Sequence, residues 1–506
     1  MNSSSEEHQI KVKKQKTYVE EHEDMEEYTY IVVGGGIAGV TCAEHLYILD
    51  PEAQTLLLTA SYLIKAVTNV LPLTKTLDAF DVEEQPPDEL VSRCPSVTVK
   101  RDAVLQLDAK NKVIHTTSGK KFKYEKLCIC SGAHPKVIPV AGSSPYVLWI
   151  RDTESVGQFQ ARMADAKRIV IVGNGGIATE MVYEVTGIEV IWAIKDKYMT
   201  ANFIDPGAAE FFRPELCREK VKKAVPLKRL KYTIDKANGD IPVMGGALGP
   251  DWHEKLELKG DNFHRVILEK EVEVACILSP EEVKKLGKTV TSTKFEEGST
   301  EWPVYVELTN GKVYGCNFIV SATGVVPNSK DFLAGNNFSL SPEGGFLVDD
   351  KMQTTEKDVY AAGDVCTPNW ELSPHWFQMR LWTQARQMGS YAAKCMWSSV
   401  SGEEMYMDFC FELFCHATKF FGKKVILLGL YNGQGLESKY EVLLRYSEGV
   451  EYIKCVMVDG RMQGALMIGE TDLEETFENL ILNQMDLSEF GEDLLNPDID
   501  IEDYFD

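Results

Sequence analysis

The hydrophobic pattern of the chain is dominated by two β-branched runs that lead directly into glycines. Residues 30–33 form the first run and residues 169–172 the second. Continuous apolar runs of this length predict strands that are buried on both faces of a parallel sheet. Because G-x-G-x-x-G or G-x-G-x-x-A follows each run, the pattern predicts a strand, a tight turn and a helix twice over, as in a dinucleotide-binding βαβ unit.

The small residues of these motifs have a mechanical explanation. The first glycine makes the turn, the second leaves no Cβ between backbone and pyrophosphate, and the third small residue lets helix and strand pack closely. In this order the positions are Gly34, Gly36 and Gly39 in the first motif and Gly173, Gly175 and Ala178 in the second. One such motif alone can be a purely structural turn, whereas two in register predict two dinucleotide sites.

A second repeated pattern follows each glycine motif. Residues 124–135 close the first unit and residues 318–328 close the second. Each is preceded by a hairpin with a turn signal, Ser118-Gly119 in one case and Asn310-Gly311 in the other. The chain therefore carries one architectural unit twice.

The ordered motifs GGGIAG, CSGAHP, GNGGIATE, SATGVVPN and YAAGD resemble those of the pyridine nucleotide-disulphide oxidoreductase superfamily of FAD and NAD(P)H flavoproteins. The resemblance covers roughly residues 28–485. It implies an α/β fold with two Rossmann-like, three-layer ββα nucleotide-binding domains and a C-terminal α+β interface domain, which dimerises some members and not others. The first glycine motif would then hold FAD and the second NAD(P)H.

The resemblance also assigns individual cofactor contacts. Asp364 would accept hydrogen bonds from the ribityl chain, and Glu180 would lie near the nicotinamide carboxamide, although an ordinary surface glutamate is an equal alternative. The further candidate cofactor-binding residues are Ile37, Ala38, Thr59, Lys65, Ala133, Gly176, Ile177, Lys195, Gly324, Gly363, Trp382 and Gln384.

A helix is predicted to begin at Ser373-Pro374, because serine is a preferred N-cap and proline suits the first helical position. By the family's geometry its N-terminus would point at the pyrimidine end of the flavin. Trp382 and Gln384 lie on this predicted helix as candidate ring contacts. For Trp382, a plain core tryptophan is the alternative.

Cofactor discrimination depends on the residue about 20 to 25 positions after each first glycine, where a carboxylate usually binds a ribose hydroxyl. Thr59 takes that place in the first unit. The second unit has Lys195-Asp196-Lys197, in which two lysines favour a 2′-phosphate and the aspartate opposes it. The pattern leans slightly to NADPH and leaves NADH open.

The cysteines depart from the family pattern. The helix after the first glycine motif holds only Cys42, and Cys217, Cys276 and Cys316 of the second unit are widely separated. Residues 409–418 are predicted as one strand, which would put Cys410 and Cys415 on opposite faces and about 16 Å apart. The adjacent pair Cys128 and Cys130 is interpreted as core. We therefore expect no redox-active disulphide beside the flavin, and hence no catalytic cysteine pair.

The family's C-terminal His-Pro acid/base motif is also missing. His375 and His416 are the only histidines in the last third of the chain, and neither precedes proline. What remains is hydride transfer from NAD(P)H to FAD, which needs orientation rather than a protein nucleophile. The predicted function is an FAD-dependent NAD(P)H oxidoreductase acting on oxygen, a quinone-like acceptor or a redox partner. The alternative is a flavin-loaded, redox-sensing protein partner whose turnover is incidental.

Composition places the protein among intracellular multidomain enzymes. A net charge of −24 argues against nucleic-acid binding, and no signal-peptide, membrane-spanning or metal-binding pattern is recognised. Twelve cysteines without disulphide spacing indicate reduced thiols in the cytoplasm, with the nucleus as a further possibility through the basic residues 11–16. The oligomeric state and any protein partner are left open.

The predicted organisation has six segments. They are a disordered tail (1–27), the first segment of the FAD domain (28–150), an NAD(P)H domain (151–326) with an insertion at about 218–262, the second segment of the FAD domain (327–405), the interface domain (406–485) and an acidic tail (486–506). The tail has nine acidic residues and no basic ones, interleaved with apolar side chains, whereas residues 218–231 hold seven Lys and Arg. We expect the tail to dock on that basic face or on a partner.

Overall fold

The structure is a computed structural model that describes residues 25–142, 144–151, 153–201, 203–217, 265–293, 301–437 and 439–496. The predicted insertion at 218–262, the basic face at 218–231 and most of the predicted disordered tail lie outside the described residues. The prediction of disorder through residue 27 runs two residues too far. The first strand begins at Glu26, where Lys100 and Lys123 on other strands of the same sheet pair with Glu26 and Glu27.

The first nucleotide-binding unit is a seven-stranded sheet with helices packed on it. In chain order its elements are β1 (Glu26–Val33), α1 (Ile37–Leu49), β2 (Thr55–Thr59), β3 (Ile64–Pro72), β4 (Asp78–Gln85), α2 (Pro87–Arg93), β5 (Val97–Arg101), β6 (Val104–Asp108), β7 (Val113–Thr116), β8 (Lys121–Ile129) and β9 (Ala133–Pro135). The sheet order is β5-β2-β1-β8-β7-β6, and strands β5, β2, β1 and β8 are parallel. Strand β1 is buried from residue 30 onward, as its apolar run predicts.

The second unit repeats this plan with a five-stranded parallel sheet in the order β10-β17-β11-β12-β13 and a three-stranded antiparallel sheet, β14-β15-β16. Its elements are β10 (Val147–Trp149), α3 (Thr153–Met163), β11 (Arg168–Val172), α4 (Gly176–Glu184), β12 (Glu189–Ala193), α5 (Pro206–Phe212), β13 (Arg265–Glu269), β14 (Val274–Leu278), α6 (Pro280–Leu286), β15 (Val304–Leu308), β16 (Val313–Cys316) and β17 (Phe318–Ser321).

The chain then returns to the first unit. The returning elements are β18 (Val325–Pro327), β19 (Phe346–Val348), β20 (Val359–Ala361), β21 (Cys366–Pro368) and α7 (Trp382–Ser401). Strand β20 adds to the first sheet beside β8. Helix α7 packs on α1 so closely that a Cβ on Gly389 would lie 2.3 Å from the carbonyl oxygen of Ala38.

The last domain is a five-stranded antiparallel sheet with one long helix. It comprises β22 (Cys415–Phe420), β23 (Lys423–Gly429), β24 (Glu441–Ser447), β25 (Glu451–Val458), β26 (Arg461–Ile468) and α8 (Glu474–Asn483). The strand order is β22-β23-β26-β25-β24. The predicted fold class, two Rossmann-like domains and an α+β interface domain, is confirmed.

Two buried polar clusters attach the interface domain to the nucleotide-binding units. Glu478 on α8 accepts hydrogen bonds from the backbone N–H of Lys75 (3.1 Å) and from the hydroxyl of Thr76 (2.5 Å), which follow β3. Asp205, the N-cap of α5, accepts from Tyr452 Oη (3.0 Å) and Lys454 Nζ (2.6 Å) on β25. Although burial opposes it, Lys454 holds the pKa of the Asp205 carboxyl below its ordinary value. One side of the interface domain therefore faces the nucleotide sites.

The helix predicted at Ser373-Pro374 is wrong, because α7 begins at Trp382. Ser373 does not cap a helix, and its hydroxyl donates to Glu412 instead (2.7 Å). His375 forms a bridge with Leu413. The intervening segment thus uses its hydrogen bonds to join the interface domain, a long-range preference that local propensity does not reveal.

The single strand predicted at residues 409–418 is also wrong. Phe409–Phe411 is a short 3-10 helix capped by Asp408, and β22 starts only at Cys415. Cys410 and Cys415 therefore do not lie on opposite faces of one strand. Both are nevertheless free thiols.

Candidate active site

A cavity of about 720 Å³ lies where the two nucleotide-binding units and the interface domain meet. Both glycine turns, the Gly363-Asp364 pair, the first turn of α7 and one face of β22 line it. The carboxyl ends of parallel strands β1 and β11 thus open into one space. This is the position at which doubly wound folds bind nucleotides.

The first glycine turn has the geometry that a pyrophosphate requires. Gly34 has φ +124°, and a Cβ there would lie 2.1 Å from the carbonyl oxygen of Cys130. A Cβ on Gly39 would lie 1.9 Å from the carbonyl oxygen of Gly34. Gly36, in contrast, has nothing within 4 Å of its Cβ position and borders the cavity. The first and third glycines allow packing, and the second leaves space for a ligand at the N-terminus of α1.

The second glycine turn repeats this arrangement. Gly173 has φ +134°, and its Cβ would lie 2.0 Å from the carbonyl oxygen of Ala322, while Gly175 faces open space. The Asn174 side chain holds the neighbouring loop: Nδ2 donates to Asp196 Oδ2 (2.8 Å), and Oδ1 accepts from the N–H of Thr200 (2.6 Å). A second pyrophosphate therefore fits at the N-terminus of α4.

Asp364 follows β20 and reaches the cavity wall next to Gly363. Burial raises the pKa of its carboxyl, while Arg380 and Arg151 act in the opposite direction. Its backbone oxygen accepts from Arg380 Nε (3.1 Å), and its carboxyl oxygens make no hydrogen bond within the described residues. A half-buried carboxyl with unused acceptors at the cavity wall suits a ligand rich in hydroxyl groups, such as the ribityl chain of FAD.

Most of the predicted cofactor residues come together at this cavity. Those in its wall are Gly34, Gly36, Ile37, Ala38, Thr59, Ala133, Gly175, Gly176, Ile177, Glu180, Gly324, Gly363, Asp364 and Trp382. Gly39, Gly173 and Ala178 lie directly behind it, where they shape the turns. Trp382 is half-buried in the first turn of α7, and Glu180 is buried on α4.

Three further predicted residues neither line the cavity nor shape its glycine turns. Lys65 is buried on β3 and pairs with Glu84 on β4. Gln384 uses its side chain to shape the start of α7, since it bonds the N–H of Met379 and the carbonyl of Phe377, each at 2.8 Å. Lys195 is exposed just beyond β12.

The structure adds wall residues that sequence reasoning missed. His416, Thr418 and Phe420 come from β22, and Phe203 comes from the segment before α5. Positions 416, 418 and 420 alternate along one strand, so the period of two in the sequence was their only available signal. Neither His375 nor His416 precedes a proline, yet His416 lies in the wall.

The thiols near the cavity are buried. Cys128 Sγ lies 3.5 Å from Cys130 Sγ, and Cys130 touches the cavity wall. Neighbouring thiols and burial raise the pKa of Cys128 well above its ordinary value. The eleven cysteines whose side chains the structure describes form no disulphide and are free thiols. Over the same described ranges, no side-chain group is arranged to hold a metal ion, and no helix is long and apolar enough to cross a bilayer.

A Rossmann-type sheet behind each glycine turn, a half-buried aspartate at the junction and one shared cavity define a two-nucleotide flavoprotein of the NAD(P)H oxidoreductase class. Comparison with known proteins gives the family. The sequence profile of the pyridine nucleotide-disulphide oxidoreductases matches residues 28–224 and 262–389, and the chain belongs to that family. It is an FAD-dependent pyridine nucleotide oxidoreductase with FAD and NAD(P)H as its cofactors.

The chain is 55% identical to the human pyridine nucleotide-disulfide oxidoreductase domain-containing protein 1, over 94% of this chain and 98% of the relative. The Drosophila melanogaster protein of that name is 45% identical over 94% and 99%. Solved structures show the same fold at low identity. A ferredoxin reductase from Rhodopseudomonas palustris has TM-score 0.60 and 18% identity (87% and 91% covered), and an engineered water-forming NADPH oxidase has 0.62 and 17% (91% and 92%).

Proposed function

We propose that this oxidoreductase passes electrons from NAD(P)H through FAD to a separate acceptor without a redox-active disulphide beside the flavin. The observation that carries the proposal is the state of the thiols around the cavity. Cys42, Cys128 and Cys130 are buried in the first core, and their neighbour Cys366 is buried as well, with its thiol pKa raised by burial. Reactive cysteines need an accessible thiolate, which these surroundings disfavour.

Acceptor chemistry follows from the balance of electrons. NAD(P)H gives up two electrons and one proton, and a second proton from solvent completes the reduction of a quinone to a hydroquinone or of dioxygen to hydrogen peroxide. When bound, FAD supplies this two-electron chemistry. The chain supplies binding and orientation. The amides of the Gly36 and Gly175 turns bind the two pyrophosphates, and Asp364 accepts hydrogen bonds from ribityl hydroxyls.

Redox stoichiometry tests the missing disulphide. Anaerobic dithionite titration of the FAD-loaded protein should reduce it fully with one two-electron equivalent per FAD, because a flavin alone takes one such pair. A disulphide in electronic contact with the flavin would take a second equivalent and contradict the proposal. NADPH and NADH should each bleach the flavin, and a flavin that neither bleaches would refute the NAD(P)H step itself.

Thiol variants sharpen this test. Cys410→Ser/Cys415→Ser should leave flavin reduction and its stoichiometry unchanged, and so should the matched control Cys276→Ser on β14. Arsenite, which traps paired thiols after reduction, should not inhibit any of these proteins. Inhibition that disappears only in the Cys410/Cys415 variant would reveal a disulphide relay.

A partner-binding role for the acidic tail is a second proposal, favoured by its described half. Leu487, Leu494 and Leu495 are buried against the interface domain, and Arg445 donates to the carbonyl oxygen of Leu495 (3.3 Å). Residues 486–496 thus pack on the interface domain, which leaves residues 497–506, outside the described ranges, as the segment for a partner or for the basic residues 218–231. This supports the alternative function of a flavin-loaded protein partner.

Truncation separates this role from turnover. Removing residues 497–506 spares Leu494 and Leu495, so flavin content and NAD(P)H oxidation should be unchanged while partner capture or oligomeric state changes. Identical sedimentation and pull-down profiles would mean that the segment is only a solvated end.

The free cysteines support a reducing compartment, the cytoplasm or nucleus. Fractionation with an organelle marker panel would test that placement.

A further inference from the structure

The cavity continues beyond the two glycine turns onto the interface domain. His416, Thr418 and Phe420 are alternate residues of β22, so their side chains share one face of the strand, and all three belong to the wall. Phe203 and Trp382 border the same end. The bonds from Lys454 to Asp205 and from Thr76 to Glu478, which join the interface domain to the nucleotide-binding units, hold this face against the nucleotide sites.

His416 is fully buried in this end of the wall. Its Nδ1 lies 2.6 Å from Thr383 Oγ1, and its Nε2 has no hydrogen-bond partner in the described residues. Burial lowers the pKa of the imidazole to about 3, so the ring is neutral at physiological pH. A neutral imidazole cannot serve as the cationic acid of a disulphide reductase, but it can offer one N–H donor and one acceptor.

Thr383, the second residue of α7, shares one hydrogen bond with His416, and either the hydroxyl or the ring Nδ1 can donate it. In both tautomers Nε2 is a buried polar atom without a hydrogen-bond partner among the described residues. Such atoms are rare in folded proteins and indicate a missing partner.

Aromatic rings surround Nε2 of His416. The centroid of the Trp382 ring lies 5.1 Å from that of His416, and the Phe203 ring lies 6.1 Å from His416 and 5.6 Å from Phe420. Trp382 is half-buried and is the outermost of these rings. Edges and faces of this kind accept a flat conjugated ring by stacking and edge contacts.

We propose that the Thr383 hydroxyl donates to Nδ1 of His416, and that the Nε2–H this leaves on the ring positions a carbonyl oxygen on the edge of a flat conjugated ring that binds against Trp382 and Phe203. Binding includes a small displacement of the Trp382 ring, which uncovers Nε2. Two substrates of the proposed function carry this chemistry: the nicotinamide ring with its carboxamide, and a quinone acceptor. The flavin ring has edge carbonyls as well, and FAD retained by the His416 variants excludes it as the ring that His416 positions. The inference rests on the proposed function, and His416 is a positioning residue for one of these two substrates.

The test compares His416→Phe, which keeps a flat ring but loses the donor, with His416→Gln, which keeps an amide donor. Both are purified with FAD, and flavin content per chain serves as the folding control. Calorimetric titration of the oxidised holoprotein with NADP⁺ measures the nicotinamide arm. The KM for menadione at saturating NADPH measures the quinone arm.

His416→Phe should weaken NADP⁺ binding or raise the menadione KM by about tenfold, the loss expected for one buried hydrogen bond. His416→Gln should recover most of that loss. A lower NADP⁺ affinity in the titration identifies the nicotinamide as the ligand of His416. A raised menadione KM alone identifies the quinone. If both constants of FAD-replete His416→Phe equal those of the parent, the inference is overturned.

Thr383→Val keeps the test decisive if His416→Phe loses its flavin. Without the hydroxyl the His416 ring can carry its proton on either nitrogen. Binding of the ligand that His416 positions should therefore weaken by a smaller factor, about threefold. No change in either arm would again overturn the inference. A parent protein whose flavin NADPH does not reduce would refute the proposed function alone, because the calorimetric arm reports on His416 without turnover.

Discussion

Gly35 in the first glycine turn and Asn174 in the second occupy the same position of the motif, but they serve different purposes. A Cβ on Gly35 would lie 2.5 Å from Thr59 Oγ1, so the end of β2 presses against the turn. Asn174 instead reaches across to Asp196 and Thr200 and holds the loop after β12. The backbone of the turn is common to both sites, and its second residue adapts to the strand end beside it.

The first position of the motif must be glycine in both turns, whereas the third position differs between them. Gly34 and Gly173 are both in the left-handed region, at φ +124° and +134°, and both approach a carbonyl oxygen too closely for any side chain. At the third position the first unit requires Gly39, whereas the second tolerates Ala178, which is fully buried. The turn is thus fixed by backbone packing, and ligand specificity depends on neighbouring side chains.

The largest expected effect distinguishes packing glycines from binding glycines. Gly34→Ala should destabilise the protein by about 3 kcal/mol or more, because it combines backbone strain with a clash against Cys130. Gly36→Ala should leave the apoprotein's melting temperature nearly unchanged and still lose FAD, since its new methyl group meets only the ligand. Thermal unfolding of the apoproteins and FAD content after reconstitution measure the two effects.

The second unit is the control for that pair. Gly173→Ala should destabilise, and Gly175→Ala should retain FAD but lose nucleotide binding in calorimetry. If both members of either pair behave alike, the division of roles within the motif is wrong.

Asp364 belongs to the first site alone, so its removal should break the symmetry of the two sites. Asp364→Ala should weaken FAD binding by about 1–3 kcal/mol, because ribityl hydroxyls lose an acceptor in the cavity wall. Asp364→Asn retains one acceptor and should fall between the parent and the alanine variant. Flavin release on dilution, followed by fluorescence, gives the dissociation constants. Equal FAD affinity in all three proteins would remove Asp364 from the site.

Asn174 provides the matching test of the second site. Asn174→Ala frees Asp196 and Thr200, and the loss of preorganisation should weaken NAD(P)H binding by about 1 kcal/mol, or about fivefold. FAD content should not change. A loss of FAD in this variant would show that the second turn supports both sites.

Local sequence was sufficient to predict those structures that depend on residues adjacent in the chain. The glycine turns and the Asp459-Gly460 hairpin, whose two residues have φ +47° and +69°, follow from residues adjacent in the chain. The start of α7 did not, because the segment before it bonds to the interface domain. His416 was missed for the same reason, since its burial and its bond to Thr383 join two domains.

The smallest expected effect concerns the choice between NADPH and NADH at the second site. Asp196 is held by Asn174, while Lys195 and Lys197 are exposed beside it. An exposed lysine near a phosphate contributes about 0.5–1 kcal/mol, so Lys195→Ala should weaken NADPH binding about two- to fivefold and leave NADH almost unaffected. The difference should shrink at high salt, because exposed charges are screened. Lys110→Ala, at an exposed lysine that does not line the cavity, is the matched control for general loss of positive charge. Calorimetric titration with both nucleotides at two salt concentrations decides the matter, and an equal change for NADH and NADPH would show that Lys195 does not read the 2′-phosphate.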